Sequence, residues 1–271
     1  MSNPAAQSRA ATQWRAATGF RTIDRATPRE VAVGLSFDGR PHTVLMATPA
    51  DVEDLARGFT LTEAVARAED IIAVEITETD LGILADVKLR PGAIQRKARP
   101  RTLEGRSSCG LCGVQRLADA VRPLPRVEGG AKISHPAVQR AIGALDEVQL
   151  LGRLTRATHA AAFADAEGRL VLVREDVGRH NALDKLAGAM ARDGGDASEG
   201  FVLVTSRCSF EMVEKTVRMG GAILVAVSAP TDLAIRRAEE SGLTLVALAR
   251  ADGHTVFACP ERLLDAALEY A

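Results

Sequence analysis

The chain has 271 residues, 46% of them hydrophobic and 25% charged, with a formal net charge of -1. That length can bury a full core in one large domain or two modest ones, and the composition excludes a disordered chain. The balanced charge gives no general attraction to nucleic acid or to an anionic membrane, and aromatics at 3% leave few stacking platforms for single-stranded nucleic acid.

The opening MSNPAAQSRAATQWRAATGF lacks the apolar core of a secretory signal. It is rich in Arg and Ala and short of acid until Asp24, which fits a transit peptide or a frayed tail. Residues 1–28 are expected as a disordered tail. No apolar run reaches the ~20 residues of a membrane span, and four cysteines are too few for a disulfide scaffold. A reducing cytoplasm is the expected compartment.

After the tail, 30-EVAVGLSF-37 and 41-PHTVLMAT-48 read as strands turned around Asp38-Gly39. In 48-TPADVEDLARGFTLTEAVARAED-70, Thr48 suits an N-cap, Pro49 the first helical position, and Asp51 and Glu53 the positive end of the helix dipole. Two strand-like runs follow, 71-IIAVEIT-77 and 82-GILADVKL-89. The stretch from 90 to 108 is rich in Arg, Lys, Pro and Gly and has no period, so it reads as a linker. It leads into 105-GRSSCGLCGVQ-115, and a second irregular stretch spans 122–136.

The second half alternates. A helix at 134–149 precedes a hairpin over 158–175, turned at Glu167-Gly168, and a helix at about 180–192. Strand 201–206, helix 209–219, strand 222–228, helix 231–241, strand 243–249 and strand 254–259 complete it. Strands so continuously apolar are buried on both faces. The expected fold is α/β: a mixed, mainly parallel sheet covered by helices, with a smaller α+β part before it. The boundaries are 29–106 for the small domain, 107–133 for the cysteine loop and linker, and 134–271 for the α/β domain.

Ligands of open α/β sheets collect at the carboxyl ends of strands, and three junctions there are polar. In 174-REDVGRHNALDK-185, Arg179 and His180 could serve an anion or an acid/base step. Alternatively, Asp176 or Asn181 simply satisfies the helix start. In 205-TSRCSFEMVEK-215, Ser206 or Ser209 can cap a helix and Arg207 projects at its N-terminus, a ready phosphate site. Cys208 reads as a small core residue. Ser228 and Thr231 stand at the third junction. Together they suggest a pocket for a phosphorylated ligand, such as a nucleotide.

No P-loop, dinucleotide fingerprint or nucleophile elbow is present. Zinc needs four ligands, while the five histidines stand alone in sequence and Cys208 and Cys259 are far from the pair, so no metal is expected within one subunit. The His-x-Glu of a zinc deaminase is also missing. A reactive dithiol is left, and pairing in Cys-x-x-Cys lowers a thiol pKa from about 8.5. Gly110 and Gly113 suit a mobile arm that hands something between partners better than a rigid redox couple.

SSCGLCG, REDVGRHNALDK, SRCSFEMVEKTVRMGG and AVSAPTDLAIRRAEESGLTLVALAR, in this order, closely resemble the formate dehydrogenase accessory proteins of the FdhD type, as does ATPADVEDLARGF. The resemblance runs from about residue 30 to the end. It implies a cytidine-deaminase-like fold without the zinc chemistry, and a homodimer. It also implies a sulfurtransferase that takes persulfide sulfur from a cysteine desulfurase and passes it to the molybdenum cofactor, Mo-bis(molybdopterin guanine dinucleotide), for formate dehydrogenase. Guanine nucleotide would act as a mimic of that cofactor. Cys109 would carry the persulfide and Cys112 would assist. The cofactor segment falls on Leu248, Ala249, Arg250, Ala251, Asp252 and Gly253. Many relatives have a second basic residue where Gly253 stands, and the pocket argument adds Arg207 and Ser228. The alternative is a chaperone that holds the cofactor, its Cys pair only structural or redox-regulatory. A third class is a zinc protein with two Cys pairs across a dimer.

Overall fold

The computed structural model describes residues 4–94 and 123–264. The Cys109 and Cys112 loop, and with it the 95–122 connection, lies outside the described residues.

The N-terminal segment departs from the expected tail. Strands β1 (Ala6–Arg15) and β2 (Gly19–Pro28) form an antiparallel hairpin, turned where Gly19 takes a positive φ of 67°. Pairing in strict alternation places Trp14 opposite Phe20 on one face, an aromatic cross-strand pair of the kind that holds a ribbon together, while on the other face Arg9 stands opposite Arg25, a like-charge pair that works against it. Neither face of this hairpin is fully apolar, so its sequence carries no strong strand signal.

The small domain is a four-stranded sheet, ordered β4-β3-β6-β5, from β3 (Val31–Phe37), β4 (Arg40–Ala47), β5 (Ile71–Thr79) and β6 (Gly82–Leu89). Asp38 and Gly39 both have positive φ, as a tight hairpin turn requires. Helix α1 (Val52–Thr62) covers one face. Leu55 and Phe59 there meet Val33, Leu35, Phe37, Ala85 and Val87 in one cluster. Each fully buried Leu or Phe contributes about 1.5–3 kcal/mol.

The large domain is a six-stranded sheet, ordered β13-β12-β11-β10-β8-β9. Its strands are β8 (His159–Asp165), β9 (Leu170–Asp176), β10 (Gly200–Val204), β11 (Ile223–Ala226), β12 (Thr244–Arg250) and β13 (Gly253–Ala258). Parallel pairing is confined to β10, β11 and β12. Both flanks are antiparallel, so the sheet is mixed but less parallel than expected. The tight β8–β9 and β12–β13 hairpins cause this, since a short turn can join only antiparallel strands.

Helices α2 (His135–Val148), α3 (Leu150–Thr155), α4 (Arg179–Asp193), α5 (Phe210–Arg218) and α6 (Asp232–Ser241) complete the domain. Alternate strand residues feed two cores. Val202, Val204, Leu224, Leu245 and Ala247 face Leu183 and Leu186 of α4, Met212 of α5 and Ala238 of α6. Phe201, Leu203, Ile223, Val225 and Val246 face Val138, Ala141 and Leu145 of α2, where the short strands β7 (Ile133–Ser134) and β14 (Leu263–Leu264) also pair. Burial on both faces explains the continuous apolar runs of the central strands.

Candidate functional site

The polar run 174–185 does two different things. Asp176 and Lys185 are fully buried and form an ion pair at 2.7 Å. Asp176 accepts from the Thr48 backbone N–H at 3.0 Å, from Gly178 N–H at 2.8 Å and from the Asn181 amide at 3.0 Å. Lys185 donates to the Thr48 carbonyl at 3.0 Å, and Thr48 Oγ1 accepts from Val177 N–H at 3.1 Å. Thr48 is therefore a bridge between the domains and not the cap of α1, whose N-cap is Asp51. One turn further, Asp184 meets Lys215 at 2.8 Å, and Thr62 donates to Asp184 at 2.6 Å. Burial pushes the Asp184 carboxyl above its usual range, with Glu63 adding to the effect and Lys215 opposing it. Burial opposes the Lys215 charge, but Asp184 and Glu63 outweigh it and hold that ammonium protonated above its ordinary value. Buried groups so fully partnered fasten the small domain to the large one. Asp176, Asn181, Asp184 and Lys185 are structural.

Arg179 and His180 point elsewhere. They begin α4 at the carboxyl end of the sheet, where the N-cap Gly178 supplies no side-chain bond. His180 Nε2 lies 3.3 Å from Glu211 of the first turn of α5, and Ser209 Oγ donates to the same carboxylate oxygen at 2.8 Å. His159, at the start of β8, belongs with them. Burial, then the charges of Arg179 and His180, hold its pKa below the ordinary imidazole value. The sequence shows Glu211 only as an acid near a helix start and His159 only as a solitary histidine, because they come from separate elements.

The other two junctions are stitched to each other. Cys208 N–H donates to the Ala229 carbonyl at 3.1 Å and Thr231 N–H to the Cys208 carbonyl at 2.9 Å. Leu248 N–H donates to the Ser228 carbonyl at 3.2 Å, and Arg250 Nη1 donates to the Val227 carbonyl. Arg207, Ser228 and the segment from Leu248 to Gly253 thus share one sheet edge. Arg207, Leu248, Arg250, Ala251 and Asp252 are exposed there, Ser228 and Gly253 partly buried, and Ala249 buried. Ser206 does not cap α5: it is buried and donates to the Arg207 carbonyl at 3.0 Å. The N-cap of α5 is Ser209, which makes no side-chain cap bond, while Thr231 caps α6 by accepting from Ala234 N–H at 3.2 Å.

Within the segment, Leu248 is a non-glycine residue at φ 53°, at a register shift between Ala247 and Arg250. Such a bulge re-aims the backbone, and a left-handed leucine stores about 1 kcal/mol or more. A Cβ built on Gly253 meets nothing within 4 Å, so a side chain there would be accommodated. Two of the histidines read as solitary prove to be partners. His135 Nδ1 lies 2.8 Å from His254 Nε2 although 119 residues separate them, and no local spacing could show that.

Arginines beside helix N-termini at the carboxyl edge of a sheet can hold phosphates. Among the described residues, no group of three or more His, Cys, Asp or Glu is placed to hold a metal, and no helix is long and apolar enough to cross a membrane. Cys208 is fully buried and its thiol is pushed up to about 12 by burial, and burial also raises that of Cys259. Cys208 is therefore no nucleophile at neutral pH.

The sequence profile of the FdhD/NarQ family matches residues 28–264. A protein of Cupriavidus necator named sulfur carrier protein FdhD is 47% identical over 256 residues, covering 94% of this chain and 88% of its own. A protein of the same name from Bordetella petrii is 46% identical over 247 residues, covering 90% and 89%. A crystal structure from Desulfotalea psychrophila, described as a formate dehydrogenase accessory protein, superposes with a TM-score of 0.76 at 24% identity. It covers 96% of this chain and 100% of that one, and carries the fold alone. The profile match, together with relatives this similar over nearly the whole length, settles the family: the chain belongs to the FdhD/NarQ family.

Proposed function

We propose that the protein is a sulfur carrier in formate dehydrogenase maturation. In this reading it takes persulfide sulfur from a cysteine desulfurase on Cys109 and delivers it to Mo-bis(molybdopterin guanine dinucleotide). The observation that carries the reading is the 47% identity, over 94% of the chain, with a protein named sulfur carrier protein FdhD. The Cys109 thiolate attacks the terminal sulfur of the donor persulfide, the donor cysteine leaves as thiolate, and Cys109 holds the sulfur as its own persulfide. Cys112 is the partner thiol that assists release: its thiolate attacks the inner sulfur of the Cys109 persulfide, a Cys109–Cys112 disulfide forms and supplies the two electrons, and the terminal sulfur leaves at the sulfide level.

The acceptor is read onto the sheet edge. Arg207, Arg250 and the starts of α4, α5 and α6 supply the positive ends and donors that phosphates require, and guanine nucleotide would occupy the same edge as a mimic. The Leu248 bulge and the Arg250 guanidinium fix the shape of the segment from 248 to 253. The reading also places the protein in the cytoplasm as a homodimer, with formate dehydrogenase as its client.

The test is mass spectrometry after incubation with a cysteine desulfurase and cysteine. A gain of one sulfur on the peptide bearing Cys109, lost in Cys109→Ala, is expected. A protein that binds guanosine diphosphate but gains no sulfur would instead be a chaperone that only holds the cofactor.

A further inference from the structure

His254 is the second residue of β13 and meets His135 and Gln139 of α2, on the side of the sheet that Val256 also faces, while Phe257 packs in the opposite core. Its ring lies nearly parallel to that of His135, with centroids 5.0 Å apart and planes at 16°. His135 Nδ1 is 2.8 Å from His254 Nε2. On the other side of the imidazole stands Gln139, one turn along α2. With its amide oriented to satisfy both ends, Gln139 Oε1 accepts from His254 Nδ1 at 2.8 Å. The same amide nitrogen donates to the Arg250 carbonyl at 2.7 Å and the Ala251 carbonyl at 3.3 Å. A single chain of hydrogen bonds therefore runs from His135 through His254 and Gln139 to the backbone of the 250–253 turn.

The proton count along this chain is restrictive. His254 Nδ1 must carry its hydrogen to meet Gln139, so the nitrogen facing His135 can accept only while it is bare. One further proton can be shared between the two rings, because either ring can donate across the 2.8 Å gap. A second places hydrogens on both facing nitrogens, and the contact becomes donor against donor. We propose that His254, held between His135 and Gln139, is a positioning residue that fixes the 250–253 turn, and that full protonation of the histidine pair releases it. The inference rests on the reading of that turn as part of the cofactor edge.

Arg250 at the end of β12 and Asp252 in the turn are its charged neighbours along the chain, the Arg250 guanidinium turned to the Val227 carbonyl, and His135 is the group whose charge acts on it. Burial, then the charge of His135, hold the His254 pKa below the ordinary imidazole value. A basic group depressed in this way stabilises the folded arrangement fully above the ordinary value, and that stabilisation is lost as pH falls below it.

The experiment is calorimetric titration of the full chain with guanosine diphosphate at about pH 7.5 and about pH 5.5, bracketing imidazole titration. Wild type is expected to bind about tenfold more weakly at the lower pH, a coupling of ordinary size for two linked sites. His135→Phe keeps a flat ring but removes the competing nitrogen, so its affinity is expected to change less than about twofold over the same range. Any titration of the nucleotide itself is common to both proteins and cancels in the comparison. Equal pH slopes in wild type and His135→Phe would overturn the inference. Imidazole 15N spectra test the array without ligand: His254 with its hydrogen on Nδ1 at about pH 7.5 supports it, and on Nε2 sinks it. Failure of wild type to bind guanosine diphosphate would sink the cofactor reading of the edge, and the positioning role with it, whatever the spectra say of the array.

Discussion

Cys208 sits in the apolar cluster beneath α5 and α6, and its thiol pKa of about 12 leaves almost no thiolate at neutral pH. Iodoacetamide should therefore spare Cys208 in the native protein and label it only after unfolding, as peptide mapping with and without urea would show. Rapid native labelling of Cys208 would contradict its burial. That residue was legible in the sequence as a core cysteine, because it follows an apolar strand and opens a helix with an apolar inner face. Gly253 stood out in the sequence only through the family resemblance, which implies a basic residue at that position. The open space around it shows that nothing in the fold requires glycine there.

At the scale of elements, the contact between α1 and α4 decides how the two domains meet. A Cβ on Gly58 would stand 1.7 Å from the Asp184 carbonyl oxygen, and one on Gly188 would stand 1.9 Å from that of Asp54. The two backbones touch there, and neither obstacle is a flexible side chain that could swing away. Gly58→Ala or Gly188→Ala should each cost about 1–3 kcal/mol or more through forced separation of the helices, read as a lower urea midpoint. A wild-type midpoint in both would show that the helices do not cross so closely. Helices and strands of the large domain were legible because their apolar periods are strong. The β1–β2 hairpin was not, since its stabilising pairs are cross-strand and neither face has an apolar period to read.

For the whole molecule, two buried ion pairs of the large domain hold the small one, Asp176–Lys185 through the Thr48 backbone and Asp184–Lys215 through Thr62 and Glu63. Lys185→Met removes the cation from the Asp176 pair and leaves a buried carboxylate with three hydrogen bonds and no counter-charge. Loss of about 3–5 kcal/mol of unfolding free energy is expected, again by urea denaturation. A loss below about 1 kcal/mol would mean that water reaches the site and the domains are not clasped. The nearby cluster of Asp54 with Arg174 and Arg192 belongs to the same seam, where burial raises the Asp54 carboxyl while the two arginines oppose it.

The sequence by itself determined the layered α/β architecture, the position of nearly every element in the large domain and, through motif order, the family. These follow from local period, turn chemistry and residue identity, which are properties of neighbours along the chain. It also located the edge that carries Arg207 and Ser228, because parallel strands place their carboxyl ends together, while Arg250 entered through the family resemblance. Only the tertiary structure decided which polar residues of 174–185 are structural, since their partners Thr48, Thr62 and Lys215 lie far away in sequence. The same holds for His135 and His254: a hydrogen bond across 119 residues depends on packing α2 against β13, and spacing along the chain carries no trace of it.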